Sequence, residues 1–324
     1  MRLSVSSLFR RMIWMLALLW ASSTIAEEFP KKPINFVVSV GAGGATDTLA
    51  RVIGEKLAVR LGQPVIVHQK PGATGTIAAR AVLGMPADGY NALFTSTFFL
   101  QALHVLKDPG YKLDDFVGVS NVAAPGVVLV VNATSPHKTL ADLLSFARTP
   151  GNSVNYGAVG LGSSTHIYGE TLRVDSKASL RSVNYNSEPQ EITDILGGHL
   201  DAGILSFTAV QPMIESGRLR PLAVVGSQRL QKLPNVPTLA ELGFPRVNLI
   251  GWFGVLLPSG TPKARVETLS TAIQQIVADP EMKARLEGLG YQPVGDSADV
   301  FTKNLRRDSD TWRRLIREAG IQPE

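Results

Sequence analysis

A serine and a histidine stand three positions apart in Gly162-Ser-Ser-Thr-His166, a pairing that base-assisted nucleophilic attack could use. A nucleophile elbow would read Gly-x-Ser-x-Gly, and no such run occurs here. Three residues apart at one helical start is also a poor arrangement for a base to reach its nucleophile, and one of Ser163 and Ser164 suits a helix N-cap. The second stretch is Gly41-Ala-Gly-Gly-Ala-Thr-Asp47, three glycines between an apolar strand and a helical pattern. Such a turn admits a ligand close to the backbone and aims the unpaired N–H groups of a helix N-terminus at an anion. It fails the dinucleotide fingerprint, because Thr46 stands where the last glycine is required and the second strand ends in His68-Gln69-Lys70 rather than in an acid. No Gly-Lys-Ser/Thr exists for a phosphate loop. His68, His104, His137, His166 and His199 offer no pair at metal-ligand spacing on one face, and Glu27-Glu28 and Asp114-Asp115 read as solvated carboxylates. The chain has no cysteine, which removes disulfides, thiolate metal sites and thiol catalysis. No cofactor and no metal are expected.

Neither 41–48 nor 157–166 contains Lys or Arg. An anion held there is held by backbone N–H groups, hydroxyls and helix ends. Hydrogen bonds to a charged group contribute roughly 1.5–3 kcal/mol each, and a helix terminus adds about 0.3–1 kcal/mol. Three or four such bonds offset the desolvation of one carboxylate. Asp47 falls in the first helical turn, where an acid complements the dipole; turned into a cleft, it would instead favour an amine or hydroxyl.

The elements that position these turns alternate between strand and helix. Phe36–Val40 is a strand continuously apolar apart from Ser39, and the helix after the first turn buries Leu49, Val52, Ile53, Leu57 and Leu61. Pro64–Val67 is a strand. Pro71-Gly-Ala-Thr-Gly75 precedes a small-residue helix using Ile77, Ala78, Ala81 and Val82, and Tyr90–Phe94 is a strand ending in Thr95-Ser96-Thr97. Asp114–Val122 and Gly126–Val131 are strand pieces separated by Ala-Ala-Pro-Gly, and Thr139 caps a helix. Val154–Tyr156 runs into the second glycine turn. Ser187-Glu-Pro-Gln190 reads as a capping box, with strands at Leu200–Leu205, Pro221–Val225 and Asn248–Leu257 after it. From Pro262 the pattern is helical to the end. Alternation of this kind implies an α/β fold with mostly parallel sheets, and ligands of such folds sit at the carboxyl ends of strands.

Residues 1–26 read as a cleavable signal peptide: Arg10-Arg11 ends a basic n-region, Met12–Trp20 is too short to span a bilayer, and Thr24-Ile25-Ala26 sets cleavage after Ala26, with Ala21 the alternative. Arg10-Arg11 without a fuller motif is no firm twin-arginine signal. Arg2, Arg10 and Arg11 supply three of the five net positive charges, so the remainder carries too little charge to claim nucleic acid or a membrane surface.

Taken together, these stretches resemble the periplasmic substrate-binding proteins of tripartite tricarboxylate transporters, the Bug-type solute receptors. The landmarks are Lys32-Pro-Ile34, Gly43-Gly-Ala-Thr-Asp47, Leu61-Gly-Gln-Pro64, Lys70-Pro-Gly-Ala73, Ala87-Asp-Gly-Tyr90, Asn155-Tyr-Gly157, Gly162-Ser-Ser-Thr-His166, Asp194-Ile-Leu-Gly-Gly198, Leu233-Pro-Asn-Val-Pro-Thr238, Trp252-Phe-Gly254 and Pro258-x-Gly-Thr-Pro262. The resemblance implies a two-lobed, type II (Venus-flytrap) binding protein that closes about a hinge on a small carboxylated solute: an organic acid, a dicarboxylate or an amino acid. It implies ligand contacts from Gly43, Gly44, Ala45, Thr46 and Asp47, from Ala73, Thr74 and Gly75, from Thr95, Ser96 and Thr97, and from Ser163, Ser164, Thr165 and His166, with Asp201 bordering the site. Lobe one is expected at 27–126 plus 247–324 and lobe two at 127–246, with hinges at Pro125-Gly126 and Pro245–Leu249.

Two departures from the family pattern stand out. Ser39-Val-Gly-Ala42 occupies the place of a proline pair, a more flexible version. Leu205-Ser206 replaces an Asp-Asn pair, which removes a charge from the cleft wall and hints at an altered ligand choice. The expected partners are the solute and the membrane permease subunits, with no nucleic acid and a monomeric state. A sensor-kinase ectodomain is the alternative partner, and a secreted Ser/His hydrolase the third reading.

Overall fold

A computed structural model describes residues 29–160, 162–226, 228–247 and 251–322. The signal segment, Glu27-Glu28 and part of the second expected hinge lie outside the described residues.

The chain forms two mixed sheets, each flanked by helices. The first has the order β11-β4-β10-β3-β1-β2, from β1 (Ile34–Val38), β2 (Val65–Gln69), β3 (Asn91–Ser96), β4 (Phe116–Pro125), β10 (Phe253–Pro258) and β11 (Tyr291–Pro293). The second has the order β7-β6-β8-β5-β9, from β5 (Val127–Asn132), β6 (Val154–Val159), β7 (Leu180–Tyr185), β8 (Ala202–Ser206) and β9 (Leu219–Val225). The parallel pairs are β1–β2, β1–β3, β6–β7 and β6–β8. The pairs of β10 with β3 and β4, of β11 with β4, and of β5 with β8 and β9 are antiparallel. The strands that carry the chain from one sheet to the other thus run against their neighbours, and parallel order is confined to the strand–turn–helix units.

Those units follow from local sequence. Helix α1 (Ala45–Leu61) buries Leu49, Val52, Ile53 and Leu57 against the first sheet and ends at Gly62 in the left-handed conformation, while Leu61 is only half-buried. In α2 (Thr76–Leu83) the buried residues are Thr76, Ala78, Ala79 and Val82; Ile77 is exposed, because its side chain turns back over Gly72. Helix α3 (Phe98–Val105) follows β3, and α4 (Leu140–Arg148) starts with a full Thr139/Asp142 capping box. Helices α5 (Ser164–Ser176), α6 (Glu188–Leu196) and α7 (Phe207–Glu215) belong to the second sheet. The box expected at Ser187 does not form, and the Ser187 hydroxyl makes no capping bond to its helix.

At the C-terminal end, α8 (Lys263–Ala278) and α9 (Pro280–Gly288) precede β11, a three-residue edge strand hidden in a stretch that reads as helical. Helix α10 (Ala298–Glu318) spans both halves. Phe301 packs on Gly118 of β4 and Gly254 of β10, while the Trp312 ring lies 5.8 Å from that of Tyr168 on α5. Arg246 pairs with both Asp175 on α5 and Glu318 on α10. One apolar cluster therefore runs from Leu93 and Phe99 through Trp252 and Trp312 to Tyr168 and Tyr156.

Candidate functional site

Between the two sheets lies a cleft of about 540 Å³, within the range of roughly 300–1,000 Å³ usual for small-molecule sites. The ends of β1, β3 and β10 with β11 line one side, and the ends of β6, β7 and β8 line the other. The N-termini of α1, α3, α5, α6 and α7 all contribute to its wall. At α1 the cap is Gly44, which carries no side chain to satisfy the first N–H groups, and Gly43 before it takes φ +80°. Gly43, Ala45 and Thr46 line the cleft. At α3 the cap is Thr97, whose hydroxyl accepts from the Trp252 N–H (2.7 Å) instead of capping its own helix. At α5 the Ser163 hydroxyl accepts from the His166 N–H (3.3 Å), which leaves Ser164 at the cleft face. Val40, Phe98, Trp252, Phe253 and Leu289 supply apolar surface. No lysine, arginine or histidine lines the cleft among the described residues.

The sequence-expected contacts divide into two groups. Gly43, Ala45, Thr46, Ser96, Thr97 and Ser164 meet at the cleft. Gly44 stands between two of them as the cap. Asp47 is buried and turned into its own turn: it accepts from the Gly43 N–H (3.0 Å), Arg51 Nε (3.0 Å) and Gln69 Nε2 (2.7 Å). Burial alone would raise its pKa, but the bonds from Arg51, Gln69 and Gly43 outweigh it and hold the carboxyl below the usual carboxylate range. Asp47 thus ties the glycine turn to β2.

Thr95 lies behind the cleft, its hydroxyl paired with that of Ser39 (3.0 Å). Ala73, Thr74 and Gly75 form a short exposed 3₁₀ turn above Ser39 and outside the cleft lining; Ala73 and Thr74 both take left-handed φ of +45° and +52°. Ser163, Thr165 and His166 stitch the second turn together. Ser163 and Thr165 share a hydroxyl contact at 3.1 Å, and Thr165 Oγ1 accepts from the Val159 N–H at 3.3 Å. His166 Nδ1 accepts from the Gly162 N–H (3.0 Å), and burial, only partly opposed by the Glu170 charge, lowers its pKa below the usual imidazole value. Ser163 meets the main chain of His166 and not its ring, so the two do not form a nucleophile–base pair.

Asp201 is misplaced by the sequence reading. It precedes β8 and accepts from the Asn155 N–H (2.7 Å) at the start of β6, whereas the cleft is at the other end of both strands, roughly 15 Å away at about 3.3 Å per residue. Leu205 is likewise no part of the cleft wall; it is fully buried in the core of the second sheet. The charge that its position seemed to remove is supplied by Glu188. This residue lines the cleft and binds Ser206 twice, accepting from the backbone N–H at Oε1 and from the hydroxyl at Oε2, both at 2.7 Å.

Glu188, Ser206, Thr208, Trp252 and Tyr291 are cleft residues that the sequence reading did not single out. A signal for two of them was present: Glu188 follows the end of the parallel strand β7, and Ser206 ends β8, the positions where ligands gather in α/β sheets. Tyr291 carries no such signal, because its strand pairs at a sheet edge contributed from far along the chain. Burial raises the Tyr291 pKa, and the charge of Glu188 across the cleft raises it further.

A bridge between the halves completes the site. Gln101 of α3, fully buried, donates from Nε2 to Ser164 Oγ (2.7 Å) at the start of α5.

Comparison with known proteins agrees with this architecture. The family model described as "Tripartite tricarboxylate transporter family receptor" matches residues 49–321. Protein BugT of Bordetella pertussis is 32% identical over 305 residues, covering 93% of this chain and 94% of its own. R. palustris Rpa4515, solved with adipate, superposes with a TM-score of 0.80 at 30% identity, over 91% of this chain and 100% of that one. MatC from Rhodopseudomonas palustris, solved with bound malate, has a TM-score of 0.74 at 25% identity, over 89% and 100% of the two chains.

Proposed function

Because the chain belongs to the tripartite tricarboxylate transporter receptor family, we propose that it captures a small carboxylated solute in the inter-sheet cleft, in the periplasm, and delivers it to the membrane permease of such a transporter. The lobes in this reading are 27–126 plus 247–324 and 127–246, and the protein binds without turnover. The observation that carries the reading is the convergence of the α1, α3 and α5 N-termini on a cleft with no cationic side chain among the described residues. Oriented N–H groups and the Ser96, Thr97 and Ser164 hydroxyls stabilise a carboxylate there without an ion pair. The solutes seen in Rpa4515 and MatC, adipate and malate, are carboxylates that fit this chemistry.

Calorimetric titration with a panel of organic and amino acids tests the reading. The expected result is one-to-one binding, a smaller radius of gyration in solution scattering when bound, and unchanged solute recovered afterwards. A panel without a single binder, or a ligand recovered chemically altered, would overturn it.

A further inference from the structure

We propose that Glu188 makes this receptor select a carboxylate whose far end is a hydrogen-bond donor, an ammonium above all, over a dicarboxylate. The inference deepens the solute-receptor reading and rests on it.

The argument starts from the helix ends around the cleft. Those of α1, α3 and α5 present unsatisfied N–H groups and no acidic side chain to the cavity. The N-terminus of α7 lies on the same cavity and already carries a carboxylate of the chain at its cap. The Ser206 N–H and hydroxyl both donate to Glu188, and the Phe207 N–H donates to the Gly126 carbonyl (2.8 Å). The protein has thus placed its own carboxylate where a second ligand carboxylate would otherwise sit. Glu188 is the charged residue of the lining, and among the described residues no cation there neutralises it. Each of its oxygens accepts one bond from Ser206, so further acceptor sites stay open. A dicarboxylate reaching this end meets a like charge, whereas an ammonium or hydroxyl meets an acceptor held in place by two short bonds. The apolar surface of Val40, Phe98 and Trp252 suits a hydrocarbon spacer between the ends.

The test is calorimetric titration of the mature chain with two matched series: adipate, 6-hydroxyhexanoate and 6-aminohexanoate; and succinate, 4-hydroxybutanoate and 4-aminobutanoate. In at least one series the amino acid should bind about tenfold or more tighter than the diacid, with the hydroxy acid between them. Glu188→Gln keeps the shape and an acceptor for Ser206 but removes the charge, and should abolish or reverse that preference. A diacid that binds the unmodified protein as tightly as its amino counterpart would overturn the inference, as would an unchanged ratio in Glu188→Gln. Acids that bind without discrimination leave the receptor reading standing; no binding in either series, together with none in the wider panel, removes both.

Discussion

Glu191 sits one helical turn beyond Glu188 and is completely buried. The surfaces that face it are two glycines: a Cβ at Gly157 would come within 2.4 Å of its carboxyl carbon, and one at Gly203 within 2.6 Å of Oε1. Gly157 and Gly203 are paired residues of β6 and β8, so the absence of side chains on neighbouring strands makes the space this carboxyl occupies. Among the described residues neither oxygen has a hydrogen-bond partner of ordinary geometry. Burial first, and then the Glu188 charge, push its pKa up to about 8, and the nearby Ile204 N–H only partly opposes them. Tyr185 is the other titratable group whose ionisation Glu191 disfavours. The sign follows. From pH 4.5 to about 8 the folded protein keeps a proton that the unfolded chain releases, so the Glu191 contribution to stability falls as pH rises through that window and is flat above it. Glu191→Met should flatten the dependence and stabilise the protein at pH 8 by on the order of a few kcal/mol. Urea unfolding at pH 5 and pH 8 measures both, and equal slopes in the two proteins would sink the assignment.

At the scale of elements, two of the strand–turn–helix units carry different caps. The glycine cap of α1 leaves its N–H groups open, while Ser163 at α5 spends its hydroxyl on His166 N–H. This difference assigns Ser163 to stability and its neighbour Ser164 to the cleft. Ser163→Ala should cost about 1 kcal/mol of stability and leave solute affinity within about threefold. Ser164→Ala should lower solute affinity and also cost stability, because it leaves the buried Gln101 amide without its acceptor. Denaturant midpoints and calorimetric affinities measured on both variants decide the matter; a Ser163→Ala protein of full stability that no longer binds solute would reverse the two roles. The buried face of α1 and the Thr139 cap of α4 were legible in the sequence because three-and-four spacing and Ser/Thr caps are local signals. The strand β11 was not, since three residues ending in proline carry no period, and its pairing with β4 is made across more than 160 positions of chain.

At the scale of the whole molecule, the two halves are joined by more than the chain that crosses between them. Tyr168 against Trp312, the Asp175–Arg246–Glu318 pairs and the Gln101–Ser164 bond all connect them. Only the last lies at the cleft, and it holds a hydroxyl that also lines it. Gln101→Leu removes a bond whose net contribution is about 0.5–1.5 kcal/mol, enough to shift an open–closed equilibrium roughly two- to tenfold. Solution scattering of the solute-free variant should show a larger mean radius of gyration than the unmodified protein. Superimposable curves would mean that the bond does not govern closure.

The glycine turn at 41–47 illustrates how far sequence alone reached. Its strand, its helix, its failure as a nucleotide site and the lack of cations around it are consequences of residue type and spacing, and these already implied an α/β fold whose turn would grip an anion through backbone N–H groups; the receptor reading came from the resemblance to a known family. Direction was beyond that reading. Asp47 faces its own turn because Gln69, brought alongside by the parallel pairing of β1 and β2, meets it there. Asp201 is turned from the cleft by the strand it begins, and Glu188 enters the cleft because β7 and β8 flank β6 in the second sheet, which sets the start of α6 beside the end of β8. Periodicity is a property of neighbours along the chain. Strand order and the apposition of two sheets are not, and they decide which carboxylate faces the cleft.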